Sequence, residues 1–394
     1  MFDRITDKGL KRRIKQHVIA LEHKFFASVQ PGFEQTLSRE LSSFGLSVSP
    51  DYIEGGVEFT GDLSSCYRAC MLSRTASRII MRIAEFKSHN YFELERNIRN
   101  FPWELYITKD TPIDFSISSS NSMIYHTGKL KEIFQKNIKE RLGEDLLFFD
   151  GDYTSSLTLL VRNYKNIATV SIDASGEFLY KRGIKIYAGK ASLRETLASL
   201  ILLEANLNDY DVLLDPMCGS GTFSIEAALI WTKTPPNIDR AFPFRLWPSF
   251  KERNFNYVKS EILKEVIAPE KTGKAIITSD IDREAVAIAC KNVPSHLRDF
   301  IKPDVDDFFS LKESILPKGK SLIVLNPPYG KRIKASDTNK LYKEIGSKIR
   351  RDFRKCNYAI IAPGEEAEKA LALPYKRKIP FKHGGIPVAV IFSN

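Results

Sequence analysis

The chain has 394 residues, 43% of them hydrophobic and 27% charged, and it carries a formal net charge of +11. This length allows about two to three domains with sizeable cores, and no apolar run approaches the roughly 18 to 20 residues of a membrane helix. The five cysteines are scattered, and neither they nor the six histidines show ligand spacing, so we expect reduced thiols and no metal. The start lacks the apolar core of a signal peptide, so we expect a cytoplasmic protein.

The first half of the chain has the pattern of a recognition module. Residues 1–24 form a basic arm, and residues 1–180 as a whole carry 23 basic and 23 acidic side chains. Strands are predicted at 25–29, 52–59 (broken by two glycines), 79–86, 114–118, 153–161 and 167–173, with helices at 32–44, around Arg68, Arg74, Arg78 and Arg82 (shading into the strand at 79–86), and at 129–142. The last two helices are basic, and we expect them to form one face for RNA.

The second half opens with a strand at 211–215, a glycine turn and a helix. The turn reads Asp215-Pro216-Met217-Cys218-Gly219-Ser220-Gly221-Thr222. Such a turn lets a ligand approach backbone N–H groups closely. A dinucleotide fingerprint needs a third glycine at position 224, where the chain has Ser224, so S-adenosylmethionine (SAM) fits better than NAD. The methionine part of SAM would lie over the turn.

Two groups of acidic residues follow. A strand at 275–280 ends in Asp280, whose carboxylate can hold both ribose hydroxyls of a cofactor. Either Asp280 or Asp282 also suits the cap of the next helix. Farther on, an acidic cluster that includes Asp306 and Asp307 precedes two phenylalanines. The carboxylate of one of these two aspartates can accept a hydrogen bond from an adenine amino group. Asp307 is preferred to Asp306, and a solvated acidic loop is the alternative.

The most specific motif is Asn326-Pro327-Pro328-Tyr329, directly after an apolar strand at 321–325. The prolines fix the backbone, so the Asn amide and the prolyl carbonyls are held as hydrogen-bond acceptors. Two acceptors on the hydrogens of an exocyclic amine favour its pyramidal, nucleophilic form. Tyr329 would stack on a flipped base. The alternative is a Pro-Pro turn at a strand end.

The excess positive charge lies in the second half, where residues 181–394 carry 36 basic and 25 acidic side chains. Ten of the basic ones fall at 331–355, beside the Asn326 motif, where a polyanion backbone would run. An aromatic-rich insertion at 242–257 is expected to pack onto the sheet. Seven strands are predicted, the last two closed by Gly384-Gly385 into a hairpin, at 211–215, 275–280, 300–305, 321–326, 358–363, 375–381 and 386–392.

In their order along the chain, these motifs resemble class I SAM-dependent RNA methyltransferases with a THUMP domain. The resemblance is to the group that makes N2-methylguanosine in large-subunit ribosomal RNA or in tRNA. The matching segments are Asp173-Ala174-Ser175-Gly176-Glu177, Lys181-Arg182-Gly183, Leu193-Arg194-Glu195-Thr196-Leu197, 215–222, Ser279-Asp280-Ile281-Asp282 and 326–330. The chain departs from the family pattern at Ile184 and Ser192, and neither touches the proposed chemistry.

The resemblance implies an α/β fold with a Rossmann-like seven-stranded sheet. It divides the chain into a ferredoxin-like segment (25–66), a THUMP RNA-binding domain (67–172) and a SAM-dependent methyltransferase domain (173–394). It also implies that Glu195 and Thr196 border the SAM pocket. The candidate cofactor-binding residues are Glu195, Thr196, Asp215, Pro216, Cys218, Gly219, Ser220, Gly221, Asp280, Ile281, Asp306, Asp307 and Asn326, and the candidate catalytic residues are Asn326, Pro327, Pro328 and Tyr329.

We therefore predict methyl transfer from SAM to the exocyclic N2 amine of a guanosine in structured RNA, with 23S rRNA preferred to tRNA. N6 methylation of adenine in DNA is an alternative, because it shares the Asn-Pro-Pro-Tyr chemistry. A non-catalytic RNA-binding or ribosome assembly factor is another. The intact Gly219, Gly221, Asp280 and Asn326 favour an active enzyme over an idle site.

Overall fold

A computed structural model of the chain describes residues 6–149, 156–183, 193–330 and 335–394. They fall into two compact units. Unit 1 comprises Met1–Val29, Ser38–Leu179 and Asn237–Ile262, and unit 2 comprises Gln30–Leu37, Tyr180–Pro236 and Leu263–Asn394. Each unit contains one seven-stranded sheet. Among the described residues, no helix has both the length and the apolar character required to cross a membrane.

The helices are numbered in chain order. They are α1 (Asp7–Ile14), α2 (Glu34–Ser43), α3 (Leu63–Leu72), α4 (Tyr91–Asn100), α5 (Thr127–Leu142), α6 (Glu195–Glu204), α7 (Thr222–Trp231), α8 (Glu252–Leu263), α9 (Arg283–Asn292), α10 (Ala335–Asp352) and α11 (Gly364–Leu371). Side-chain oxygens cap several helix starts, as sequence rules favour. Asp62, for example, accepts from the backbone N–H of Ser65 at the start of α3.

The strands are numbered in the same way. They are β1 (His23–Ser28), β2 (Ser47–Ile53), β3 (Gly56–Gly61), β4 (Arg78–Lys87), β5 (Ile113–Ser120), β6 (Leu157–Tyr164), β7 (Ile167–Asp173), β8 (Val212–Asp215), β9 (Ala275–Asp280), β10 (Asp304–Val305), β11 (Ser321–Leu325), β12 (Asn357–Ala362), β13 (Arg377–His383) and β14 (Ile386–Phe392).

The sheet of unit 1 has the order β2-β3-β1-β4-β7-β6-β5. Its pairs are antiparallel except β5 and β6, which run parallel. The hairpin predicted at 153–161 and 167–173 is β6 and β7, although residues 153–155 lie outside the described residues. The strand predicted at 52–59 is two strands, because the chain reverses at Gly55, whose φ is +81°.

The strand predicted at 79–86 is present as β4, but the helix before it is shorter than predicted. Helix α3 ends at Leu72, so Arg74 follows it, and Arg78 and Arg82 lie on β4. There Arg78 pairs with Asp173 at 3.3 Å and Arg82 pairs with Glu58 at 2.7 Å. A run of β-branched and apolar residues around these arginines fits a strand as well as a helix, and the pairing with β7 decides the outcome.

The expectation that the aromatic insertion packs onto the catalytic sheet is also wrong. The segment Asn237–Ile262 belongs to unit 1. Its rings surround the buried Tyr67 of α3, with centroid distances of 4.6 Å to Phe244 and 5.8 Å to Phe255. The amide of Asn237 also donates to the carbonyl of Ser73 at 3.1 Å. Aromatic composition predicted a packed segment, but it did not predict the partner, which is distant in sequence.

The sheet of unit 2 has the order β10-β9-β8-β11-β12-β14-β13. The first five strands are parallel, whereas β14 runs antiparallel to β12 and to β13. All seven predicted strands are present, and the antiparallel hairpin at the edge is confirmed. Only two residues of the strand predicted at 300–305 pair with β9, so β10 is much shorter than predicted. The five parallel strands bring their carboxyl ends to one edge.

Helix α10 approaches α11 closely at a glycine. A Cβ atom on Gly346 would lie 1.8 Å from the carbonyl oxygen of Leu371. Glycine inside a helix costs about 0.5–1 kcal/mol relative to alanine, so its presence here fits the close approach of the two helices. Both helices also contact β12, and the hydroxyl of Tyr342 in α10 donates to the carbonyl of Ile361. The carboxyl end of β12 lies at the edge where the parallel strands end, which we call the catalytic edge because the sequence predicts the reaction site there.

We predict that Gly346→Ala lowers the free energy of unfolding by about 1–3 kcal/mol, because the added methyl group has no space and α11 must shift. Gly128→Ala in α5 is the matched control, since nothing lies within 4 Å of a Cβ atom there. That control should keep or slightly raise stability. Urea unfolding of both variants tests this, and equal stabilities would contradict the packing of α10 against α11.

Candidate active site

The glycine turn lies at the carboxyl end of β8, where the sequence places it. Gly219 and Gly221 have φ angles of +54° and +81°, which side chains rarely adopt. Gly221 caps the start of α7, so the first backbone N–H groups of that helix face the turn. A Cβ atom on Gly221 would lie 3.3 Å from that of Ala289. The turn therefore requires glycine for backbone conformation at both positions and for space at Gly221.

Asp280 fixes this turn from the neighbouring strand. Its Oδ2 accepts from the N–H of Gly219 at 2.8 Å, and its Oδ1 accepts from the N–H of Asp282 at 3.0 Å. Asp282, not Asp280, caps α9, because its carboxylate accepts from Glu284 at 2.8 Å. Asp280 thus has a structural role beside the ribose contact predicted for it. Ile281, the next residue, is 70% exposed.

Asp215 is completely buried at the end of β8. Its Oδ2 accepts from the hydroxyl of Ser224 at 2.8 Å, while its Oδ1 has no partner among the described residues. Burial raises the pKa of the Asp215 carboxyl to about 7, and the charge of Asp280 adds to the rise. Burial also raises the pKa of the Cys218 thiol well above its ordinary value, so this cysteine stays a neutral thiol rather than a nucleophile.

The acidic cluster follows the short strand β10. The N–H of Asp306 donates to the carbonyl of Asp280 at 3.2 Å, which ties this loop to the end of β9. Asp307 accepts from the N–H of Phe309 at 3.0 Å through one carboxylate oxygen. Asp306 is exposed and Asp307 half-buried. Both lie at the catalytic edge, and the assignment of the adenine contact to Asp307 stays a prediction.

The Asn326 motif lies at the same edge, after β11. Because Ile323 pairs with Leu214, Asn326 extends beyond the sheet next to the end of β8. Pro327 is buried and Pro328 half-buried. The Oδ1 atom of Asn326 is buried and has no hydrogen-bond partner among the described residues. A buried acceptor in this state is costly to the protein alone, and it fits a ligand that brings a donor.

Tyr329 is held by the hairpin of β13 and β14. Its side chain is only 7% exposed, and its hydroxyl lies 2.6 Å from Nδ1 of His383. Gly330, with φ of +65°, passes so close to the hairpin that a Cβ atom would lie 2.6 Å from Cδ1 of Ile386. Contacts with the β13–β14 hairpin therefore fix the position of the end of this motif. No sequence pattern predicted the role of His383, since the contact joins residues far apart in the chain.

Helix α6 carries Glu195 and the buried Thr196 in its first turn. Deeper in the unit, Arg182 of the predicted Lys-Arg-Gly segment forms a buried ion pair with Glu226 of α7. The hydroxyl of Ser199 in α6 donates to the same carboxylate at 2.5 Å. This pair joins α6, α7 and the segment before α6, so Arg182 has a structural role. Ile184 and Ser192 lie outside the described residues.

The basic strip predicted at 331–355 lies only partly within the described residues, and one of its cations is buried. Lys331, Arg332 and Lys334 lie outside the described residues, and Lys348 is 2% exposed. The ammonium of Lys348 donates to the carbonyl of Phe309 at 2.8 Å and pairs with Asp352 at 2.6 Å. Its role is therefore structural, which helical periodicity did not reveal. The exposed cations that remain on the described part are Lys340, Lys343, Arg350, Arg351, Arg354 and Lys355.

No group of three or more His, Cys, Asp or Glu side chains in the described part of the chain is arranged to hold a metal ion. The five cysteines are free. The site that remains consists of backbone N–H groups, carboxylates and one amide at the ends of adjacent parallel strands.

Comparison with known proteins places this site in a family. Residues 182–390 match the model of the RMKL-like methyltransferase domain, and residues 24–80 match that of the RlmL ferredoxin-like domain. The chain belongs to the RMKL-like methyltransferase family. This membership confirms the family resemblance and the α/β fold predicted from sequence. SAM, the predicted cofactor, is the methyl donor of class I methyltransferases.

Three similar proteins illustrate the relationship. The ribosomal RNA large subunit methyltransferase K/L of Psychromonas ingrahamii is 30% identical over 385 residues, which is 94% of this chain and 50% of that protein. A Synechocystis protein with the provisional name RNA methyltransferase slr0064 is 28% identical, covering 94% of this chain and 97% of its own length. A provisionally assigned methyltransferase, SMU.472, crystallised with SAH, is 25% identical with a TM-score of 0.82, over 94% and 97% of the two chains. The chain spans about half the length of the K/L relatives.

We predict that Asp280→Ala in this RMKL-like methyltransferase lowers both thermal stability and affinity for SAM. Each hydrogen bond lost by the turn or the ribose should cost about 0.5–1.5 kcal/mol. Asp282→Ala is the matched control, because it removes a helix cap worth about 1 kcal/mol without freeing the turn. Calorimetry and thermal unfolding separate the two effects. A SAM affinity equal in the two variants would remove Asp280 from the cofactor site.

The raised pKa of Asp215 predicts a pH-dependent stability. Its carboxyl binds a proton more tightly in the folded than in the unfolded chain, so this group destabilises the fold as pH rises from its ordinary pKa to about 7. Asp215→Asn cannot ionise. Urea unfolding at about pH 5 and about pH 8 should therefore show the variant gaining stability relative to the wild type at the higher pH. If the difference in unfolding free energy between the variant and the wild type did not change with pH, Asp215 would not be a buried carboxyl that titrates in this range.

Proposed function

We propose that this chain transfers a methyl group from SAM to the exocyclic N2 amine of a guanosine in RNA. The large-subunit ribosomal RNA is the favoured substrate, because the K/L relatives are named for it and the Synechocystis relative of similar length is named for RNA. Because ribosomal RNA is a cytoplasmic substrate, the proposed site of action is the cytoplasm. The observation that carries the proposal is the buried, unpaired acceptor of Asn326 at the end of β11.

The described residues fit SAM as the cofactor. The turn at Gly219 and Gly221 presents backbone N–H groups at the start of α7, a favourable place for a carboxylate. The buried and unpaired Oδ1 of Asp215 suits a cationic donor such as an ammonium group. We assign the ribose hydroxyls to Asp280 and the adenine amine to Asp307. When bound, SAM supplies an electrophilic methyl group on a sulfonium.

Asn326 acts on the amine of the substrate. Its Oδ1 accepts one amino hydrogen, and a prolyl carbonyl of the motif accepts the other. These bonds draw the nitrogen lone pair out of conjugation with the base, which makes the amine nucleophilic. Because an amine becomes far more acidic once it is methylated, its proton passes to water and the chain needs no general base.

Tyr329 stays the proposed residue for holding the flipped base. His383 and the Gly330 contact fix its ring in one orientation before substrate arrives, so little side-chain entropy is lost on binding. Fixed donors and acceptors around a reacting group are more effective than mobile ones, because no reorganisation is needed during reaction.

The proposed reaction is tested with purified chain and tritiated SAM. Total RNA containing unmodified large-subunit rRNA, total tRNA and genomic DNA are offered separately, and the products are digested and chromatographed as nucleosides. We expect label in N2-methylguanosine from ribosomal RNA. Label in N6-methyl-2′-deoxyadenosine from DNA would establish the alternative chemistry of the same motif, and absence of label from every substrate would overturn the proposal.

We predict that Asn326→Ala leaves SAM affinity nearly unchanged but lowers the single-turnover rate of methyl transfer by about 10²-fold or more, because it removes an interaction made in the transition state. Tyr329→Phe is the matched control. It keeps the ring and removes only the hydroxyl that meets His383, so its effect should be smaller. Near-normal transfer by Asn326→Ala would mean that the motif is only a turn.

A further inference from the structure

The sheet of unit 1 has an exposed face that the basic helices do not cover. Helix α5 covers the opposite face, where the ring of Phe134 lies 6.4 Å from that of Phe115 on β5. Side chains alternate along a strand, so Ser118 and Ser120 point away from α5. Both are exposed. The continuation of this face across β6, β7 and β4 follows from the register of the strands.

Two rows of side chains form this surface, which we call the open face. The first row runs from Ser120 through Tyr164 and Ile167 to Lys87. All four are exposed, and Tyr164 and Ile167 retain 37% and 46% of their accessible area. Tyr164 and Ile167 lie opposite each other where β6 and β7 join, and exposed apolar side chains next to one another favour a binding surface.

The second row runs from Ser118 through Arg162 and Thr169 to Glu85. Arg162 stands beside Tyr164 on the same strand, with its guanidinium carbon 5.3 Å from the centre of that ring. The ammonium of Lys165 lies 5.2 Å from the same ring. Among the described residues, neither cation forms an ion pair. The open face therefore combines a ring, hydroxyls and unpaired positive charge, with Glu85 at its margin.

The turn that carries Lys165 is built at a conformational cost. Lys165 and Asn166 have φ angles of +51° and +62°, a region that favours glycine. Asn166 is fixed there, because its side chain accepts from the N–H of Met123 at 2.8 Å and its carbonyl accepts from Ser88 at 2.9 Å. Nothing in these contacts requires a lysine at position 165. Its cationic side chain instead lies beside the ring of Tyr164 on the open face.

Two cations of the basic helix α5 pair with acidic side chains of the same unit. Arg141 pairs with Glu104 at 2.6 Å, and Lys136 pairs with Glu95 at 3.0 Å. Both belong to the basic helices predicted to form one face for RNA, and that face stays a prediction. The open face differs from it, because it combines an exposed aromatic ring with two cations that form no ion pair among the described residues.

We propose that the open face binds a single-stranded segment of the RNA substrate. This inference rests on the proposed function. Bases stack on aromatic rings without sequence preference, and cations beside the ring meet the phosphates. Serine hydroxyls along β5 supply donors and acceptors for ribose and base edges. A double helix fits less well, because its bases are already stacked within the duplex and cannot lie on Tyr164.

The test is fluorescence anisotropy of the full chain with a labelled single-stranded oligouridylate of about 12 nucleotides, at several salt concentrations. The variant Arg162→Gln/Lys165→Gly removes both cations, and its glycine relieves the left-handed backbone, so folding is preserved. We expect affinity to fall about tenfold or more, and the slope of log affinity against log salt to shrink by about 1.4, since two phosphate contacts are lost.

Tyr164→Ala should weaken binding about tenfold while the salt slope stays unchanged, because stacking rather than charge is lost. Lys109→Gln and Tyr257→Ala are matched controls at other exposed positions of unit 1, and they should bind as the wild type does. Thermal unfolding confirms that each variant folds.

Wild-type affinity in both open-face variants would overturn the proposal and leave the surface to a protein partner. The proposal would also be overturned if the wild-type chain bound an RNA hairpin but not the single-stranded oligouridylate. The proposed function fails separately, through the absence of methyl transfer to RNA by a wild-type chain that still binds the oligonucleotide. Oligonucleotide binding therefore tests the open face, and methyl transfer tests the proposed function.

Discussion

The hydrogen bond from the N–H of Gly219 to the carboxylate of Asp280 is the contact on which the catalytic edge depends. It joins the loops after β8 and β9, and the second oxygen of Asp280 organises the approach to α9. Gly219 donates this bond from a backbone with φ of +54°, a conformation that glycine adopts without strain. One carboxylate thereby links the turn to the end of β9, where an acid is predicted to contact the cofactor.

The sheet of unit 2 was largely predictable because β8, β11 and β12 are buried on both faces and appear in the sequence as short apolar runs. β11 is the clearest example, with all five residues buried. The prediction failed where pairing rather than composition sets the length of an element. β10 contains only two paired residues, and β4 already begins at Arg78, inside the predicted helix, where this residue pairs with Ser28 of β1. The local sequence shows the pattern of an element but not the strand with which it pairs.

The same limit applies to the candidate site. Residues at the end of a strand, such as Asp215 and Asp280, or directly after one, such as Asn326, were predictable because topology alone brings strand ends together. The supports behind them were not. His383 holds Tyr329 and Ser224 holds Asp215 through contacts whose geometry depends on the whole fold. Lys348 shows the converse, since a residue counted among the surface cations is buried and bonded to backbone carbonyls.

Two buried acceptors at neighbouring strand ends lack hydrogen-bond partners among the described residues, Oδ1 of Asp215 at the end of β8 and Oδ1 of Asn326 after β11. Each unsatisfied buried group costs a fold about 1–3 kcal/mol. A ligand that brings donors to these atoms would recover that free energy on binding. In the proposed function the donors are the ammonium group of SAM and the amine of a nucleobase, so the cost to the free protein at this edge becomes binding free energy for its ligands.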